Sequence, residues 1–143
     1  MATKARAKAA APRFAYQYAV KFLCTSNIPG TSQTTTSLLP GAYQTVVNVH
    51  NPNAASVGFR MKLASASGDV SAFIKGDLKP DQATKVDCSQ LGKFGPPPIH
   101  GFEGFLVIEC PLSLDVVAVY TAAGDTGKVT SLDVEYIRER RLG

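Results

Sequence analysis

The stretch "TVVNVHNPNAASVGFRMK", residues 45–62, alternates apolar and polar side chains on both sides of a four-residue turn. Val47 and Val49 share one face with Tyr43 and Thr45, while Val57, Phe59, Met61 and Leu63 line up opposite Gly58, Arg60 and Lys62. A period of two is that of a strand with one buried face. The Asn and Pro of "NPNA" suit a tight turn, so the pattern predicts a β-hairpin.

The same alternation extends outward in both directions. "FAYQYAVKFLC" (14–24) places Phe14, Tyr16, Tyr18, Val20, Phe22 and Cys24 at every second position. "TSNIPGTSQTTTSLLPG" follows, a long loop that is either mobile or crosses between sheets. Strands are predicted at "VSAFIK" (70–75) and at "ATKVDC" (83–88), with Thr84, Val86 and Cys88 turned inward. "KFGPPPIHG" is a stiff connection, because consecutive prolines favour an extended conformation. "FEGFLVIEC" and "LDVVAVYTA" are the most apolar strands, expected mid-sheet and, across a gap as short as "PLS", as antiparallel neighbours. In "VTSLDVEYI" Thr130, Leu132, Val134 and Tyr136 share one side, and Ser131, Asp133 and Glu135 the other.

Eight strands and no helix in 143 residues predict one all-β domain, 14–137. The expected fold is a single antiparallel β-sandwich, immunoglobulin-like or jelly-roll-like, with a small barrel as the alternative. A chain of this length can bury a core without staples.

The charge is unevenly placed. Residues 1–13 carry Lys4, Arg6, Lys8 and Arg13 with no acid, and 138–143 carry Arg138, Arg140 and Arg141 against Glu139. The span between has 8 bases and 10 acids, so the net +4 of the chain belongs to its two ends. A flexible basic N-terminal arm of this kind is simple solubilising disorder, crosses to a neighbouring copy, or makes weak, salt-sensitive, sequence-blind contact with nucleic acid.

"MATKARAKAAAPRF" lacks the apolar core of a signal peptide. The longest apolar run, "FLVIECPLSLDVVAVY", is broken by Glu109, Pro111 and Asp115, short of a membrane span. The expectation is a cytoplasmic protein without a membrane span, whose three cysteines are free thiols in a reducing compartment.

Chemistry-bearing residues are few. Alternation turns His50 outward beside a turn, the ordinary place for a structural histidine. A metal site would draw on His50, His100, Asp87 and the cysteines, none of which stands at zinc-ligand spacing. His100 and Glu103, on the proline-stiffened loop, could form an acid/base pair or simply face water. A polar site would thus need His50, Asp87, His100 and Glu103 to converge. "GDTGK" is too short for a phosphate-binding loop, and no nucleophile motif occurs. No catalytic residue, cofactor or metal is expected.

The blocks "YAVKF", "VNVHNP", "LKPDQATKVDC", "GFLVIE" and "LDVVAVYTA", in this order, resemble a set of small, uncharacterised bacterial single-domain β-sandwich proteins over residues 16–137. The order of elements is also similar to that of the sensory rhodopsin transducer proteins. What these resemblances imply is a sandwich with a tendency to associate, and neither supplies a catalytic residue. The expected function is non-enzymatic: self-association as a homo-oligomer, or protein binding, within a larger assembly. The alternatives are nucleic-acid or anion contact through the basic ends, and a ligand or metal site using His50 and His100.

Overall fold

The structure, a computed structural model, describes residues 13–26, 38–95, 101–124 and 128–143. It is an all-β fold, one curled antiparallel sheet forming half a barrel. The strands are β1 (Tyr16–Ser26), β2 (Ala42–His50), β3 (Val57–Ser65), β4 (Ile74–Leu78), β5 (Ala83–Val86), β6 (Phe102–Cys110), β7 (Asp115–Ala123), β8 (Val129–Tyr136) and the short β9 (Arg140–Arg141). A 3-10 helix, Cys88–Phe94, follows β5. The order across the sheet is β4-β3-β6-β1-β2-β7-β8, with β5 on β2 and β9 on β1.

The curl follows from how β1 and β2 meet. They pair only at Cys24–Gln44, Thr25–Tyr43 and Ser26–Ala42. Beyond that corner they part, β1 taking β9 along its free stretch and β2 taking β5. Two halves thereby face each other across one core. The inward residues of the alternating strands fill it: Tyr18, Val20 and Phe22 from β1, Val47 and Val49 from β2, Phe59 and Leu63 from β3, Leu106 and Ile108 from β6, Val116 and Ala118 from β7. Each such valine, leucine, isoleucine or phenylalanine side chain contributes about 1.5–3 kcal/mol by leaving water.

The strand positions agree closely with the two-residue pattern, but the pairings do not. β2 and β3 form no hairpin: β2 pairs β1, β5 and β7, and β3 pairs β4 and β6. Their turn instead carries the chain from one half to the other. Asn51, fully buried, replaces the missing ladder. Its Nδ2 donates to the carbonyls of Ala55 at 2.9 Å and Leu78 at 3.0 Å, and its Oδ1 accepts the Asn53 amide at 2.9 Å. The backbone amide of Asn51 bonds Gln82 O, and its carbonyl takes the amide of Asp81, fastening this turn to the one between β4 and β5.

β6 and β7 are likewise not neighbours. Each is central, β6 between β3 and β1 and β7 between β2 and β8, and "PLS" arches between the halves. The arch is held from below by Tyr18, whose hydroxyl donates to Leu114 O at 2.7 Å and accepts the Leu114 amide at 2.8 Å.

Four further expectations change. Cys24 and Cys88 are not free thiols but a disulfide, with Cα atoms 5.6 Å apart; Cys110 remains a buried thiol. Cys88 heads the 3-10 helix instead of ending a strand, because Asp87 caps that helix by accepting the Ser89 amide at 2.9 Å. The fourth strand begins at Ile74, where 70–75 was expected: Val70 makes only an isolated bridge, to Ala64. The basic C-terminal stretch returns as β9, with Arg140 and Arg141 paired to Gln17 and Tyr16 and the Leu142 amide bonded to Ala15 O.

Candidate functional site

His50 ends β2, where the register sets it beside Ala83 of β5 and Asp115 of β7. Its Nδ1 lies 2.8 Å from Asp115 Oδ2, and its Nε2 lies 2.7 Å from Asp81 Oδ1. Asp81 comes from the β4–β5 turn, where its φ of 63° is left-handed backbone. Ionised carboxylates only accept, so both ring nitrogens donate, and the species this geometry favours is the imidazolium. Hydrogen bonds from Asp115 and then Asp81 accordingly raise the His50 pKa above its ordinary value. An imidazole with both nitrogens engaged has no lone pair for a metal or for a substrate proton. The group ties the mouth of the β4–β5 turn to the start of β7.

The other expected polar residues stand apart from it. Asp87 lies past the end of β5 opposite to His50. The Ser89 hydroxyl, and after it the Ser89 amide and Lys85, hold its carboxyl below the usual range. Glu103 is on β6 in the other half, 4.0 Å from Lys21 Nζ. His100 lies outside the described residues, as do Lys4, Arg6 and Lys8 of the arm. Arg13 is described and exposed. Among the described residues no three His, Cys, Asp or Glu side chains gather to hold a metal ion.

Two arrangements escaped the sequence reading. On the outer side of β1, β3 and β6, the buried Glu109 takes Arg60 Nη2 at 2.7 Å and Nε at 2.9 Å on one oxygen and Gln17 Nε2 at 2.9 Å on the other. The Arg60 guanidinium is stacked near two rings, 4.2 Å from the centre of Phe14 and 4.1 Å from that of Phe73. This holds Phe14 against the outer side of the sheet.

The second is β8. It is the last strand of its half and pairs only β7, and every one of its residues is exposed. Val117, Val119 and Thr121 of β7 stand opposite Tyr136, Val134 and Leu132. Because Val116 and Ala118 point into the core, those β7 residues and their β8 partners point out of it. The apolar side of "VTSLDVEYI" is therefore the outer one. Leu132 is 63% exposed, Val134 48% and Tyr136 83%, and Val46 of β2 continues the stripe beside Val119. On the inner side Ser131, Asp133 and Glu135 are also exposed, so β8 overhangs the core with both faces open.

Among the described residues no helix is long and apolar enough to cross a membrane. No protein-family model matches the chain, and no curated protein matches it. Among solved structures it is similar to the crystal structure of Thermotoga maritima 1070, with a TM-score of 0.58 and 9% identity over 87% of this chain and 93% of that one. At that identity the likeness is one of fold.

Proposed function

We propose that the chain is a non-enzymatic β-sandwich module, immunoglobulin-like or jelly-roll-like, that works by associating with copies of itself within a larger assembly. Support for the sandwich comes from two halves that share a core and touch through one short corner pairing. The non-enzymatic reading rests on how the polar residues are used: His50 is held at both nitrogens, Asp87 caps a helix, and Glu103 is paired with a lysine. A cytoplasmic setting fits the Cys24–Cys88 bridge less well than an oxidising one, since disulfides persist where thiols are not kept reduced.

The observation that carries the proposal is β8. Leu132, Val134 and Tyr136 stand open on one strand, continuous with Val117, Val119 and Val46. Isolated apolar residues on a surface need no explanation, whereas a contiguous stripe on an open edge strand marks an interaction site. Multi-angle light scattering tests this. The wild type is expected to run as a dimer or larger, and the Leu132→Ser/Tyr136→Ser variant as a monomer with an unchanged melting temperature. A wild type that stays monomeric at high protein concentration refutes it.

A further inference from the structure

The sheet has four open edges among the described strands, those of β4, β5, β8 and the two-residue, all-arginine β9, and they are not alike. β4 is five residues long and carries Lys75 and Asp77; β5 is four residues long and carries Lys85. Short, charged edges of this kind resist pairing with another chain. β8 has eight residues, no proline and no lysine, and its apolar residues alternate without interruption from Leu132 to Tyr136.

The backbone of β8 is also turned the right way. Ile137, just past the strand, donates its amide to Val116 O at 2.9 Å. In an antiparallel ladder the bonded residues alternate, so odd-numbered residues of β8 spend their amides and carbonyls on β7. Those of Leu132, Val134 and Tyr136 face the open edge, while the register shift opposite Ala122 and Ala123 interrupts the alternation at Thr130.

Resting on the self-association reading above, we infer that β8 pairs antiparallel with β8 of a second copy, across a two-fold axis at Leu132. The register follows from the charges. With Leu132 opposite Leu132 of the second copy, Thr130 meets Val134, Ser131 meets Asp133, and Val129 meets Glu135, so no like charges are opposed. Lys128 then lies against Tyr136, the most exposed large apolar residue of the chain's described part, where an ammonium over a ring is favourable. Moving the axis to Asp133 sets that carboxylate against its own copy, and moving it to Val134 sets Asp133 against Glu135 twice. Like charges directly opposite destabilise a pair of strands. Moving it to Ser131 instead sets Val134 against Lys128 and shortens the overlap.

Since a two-fold axis normal to the sheet keeps each face on its own side, the outer stripes of Leu132, Val134 and Tyr136 also join into one. A second copy supplies this match by identity, because a two-fold interface uses the same patch twice. The product is a sheet running continuously through both chains.

Cysteine cross-linking of the full chain tests the register. The native cysteines do not interfere, as Cys24 and Cys88 are bonded and Cys110 is buried. Residues opposite each other in a hydrogen-bonded antiparallel pair have Cα atoms ~5.5 Å apart, within the ~4.4–6.8 Å that a disulfide spans. Leu132→Cys is therefore expected to convert under mild oxidation to a covalent dimer. Asp133→Cys, whose counterpart sits diagonally at ~7–8 Å, is expected to remain largely unlinked. Leu132→Pro, which removes an amide from the open edge alone, is expected to abolish the dimer while the melting curve stays in place. A wild type that assembles while Leu132→Cys fails to cross-link, or while Asp133→Cys links in its stead, overturns the β8 pairing and leaves association through another contact. A monomeric wild type in light scattering overturns both readings.

Discussion

Tyr18 offers a quantitative test of how the two halves are joined. Its hydroxyl, buried on β1, both donates to Leu114 O at 2.7 Å and accepts the Leu114 amide at 2.8 Å, 96 residues further along the chain. Ser113 Oγ and Glu139 Oε2 stand nearby at 3.4 and 3.1 Å, linking the C-terminal segment to the same point. Tyr18→Phe keeps the ring and its packing but leaves the amide and the carbonyl of a buried residue without partners. Each unsatisfied backbone group costs ~1–3 kcal/mol, and water entering from the Ser113 side recovers part, so a total loss of about 2–4 kcal/mol is expected. In a domain of this size that corresponds to a fall of roughly 10 °C in melting temperature. Thermal unfolding followed by near-ultraviolet circular dichroism at neutral pH measures it, with Tyr16→Phe, whose hydroxyl meets only Arg141 at 3.4 Å, as the control. Burial pushes the Tyr18 phenol up to about 12 from 10.0. The folded state therefore holds that proton longer, and stability present below pH 10 is lost progressively as pH rises toward 12. The Tyr18→Phe variant should lack this share of the alkaline loss. A melting temperature within 2–3 °C of wild type, on the order of ~1 kcal/mol or less, would show that Tyr18 does not hold the arch.

Other perturbations follow from the same contacts. Reducing the Cys24–Cys88 bridge, or replacing both residues by alanine, opens a loop of 64 residues. In the chain-entropy picture this removes about 4 kcal/mol, visible as a lower urea midpoint. For His50, NMR titration is expected to give a pKa above 6.5, falling more in Asp115→Asn than in Asp81→Asn, since Asp115 is the larger cause. Because the folded value is raised, the clamp's contribution is complete below pH 6.5 and disappears as pH climbs through the raised value. Glu109→Ala strands the Arg60 guanidinium between Phe14 and Phe73. As the Arg60 side chain keeps 35% exposure, a loss of about 2–3 kcal/mol in chemical denaturation is expected, below the ~3–5 kcal/mol of a fully buried pair. Glu103→Ala, which breaks a 4.0 Å contact with a half-exposed lysine, should cost under ~1 kcal/mol.

Alternation of side chains is a local property, and the strands it marks were legible for that reason. Pairing is set by residues far apart, and there the sequence misleads. "NPNA" and "PLS" have the length and composition of hairpin turns, yet both bridge the halves. The groups that hold them are the side chain of Asn51, bonded to Leu78 O, and the hydroxyl of Tyr18, bonded to Leu114. β4 was misplaced because its inward set is Ile74, Gly76 and Leu78, and the glycine breaks the apolar pattern. The ring of Phe59 fills that gap: a Cβ on Gly76 would lie 2.4 Å from its Cζ.

The candidate site was legible only in part. An outward His50 followed from its position on β2, but its partners did not, since Asp115 and Asp81 reach it through strand register and a left-handed turn. Asp87 and Glu103 proved to serve a helix cap and an ion pair. The two faces of β8 were plain from Leu132, Val134 and Tyr136 against Ser131, Asp133 and Glu135. That the oily face points outward depends on β7 and could be known only once Val119 was seen opposite Val134. An apolar side is ordinarily a core side, and on a strand that overhangs the core that rule fails.

Amide hydrogen exchange on β8, followed across protein concentration, is the most direct test that this strand is closed by another chain. The account predicts that the amides of Leu132, Val134 and Tyr136 exchange quickly in dilute solution and slow markedly as concentration rises, while those of β1 and β6 do not change. Fast exchange of these three amides at every concentration would contradict it.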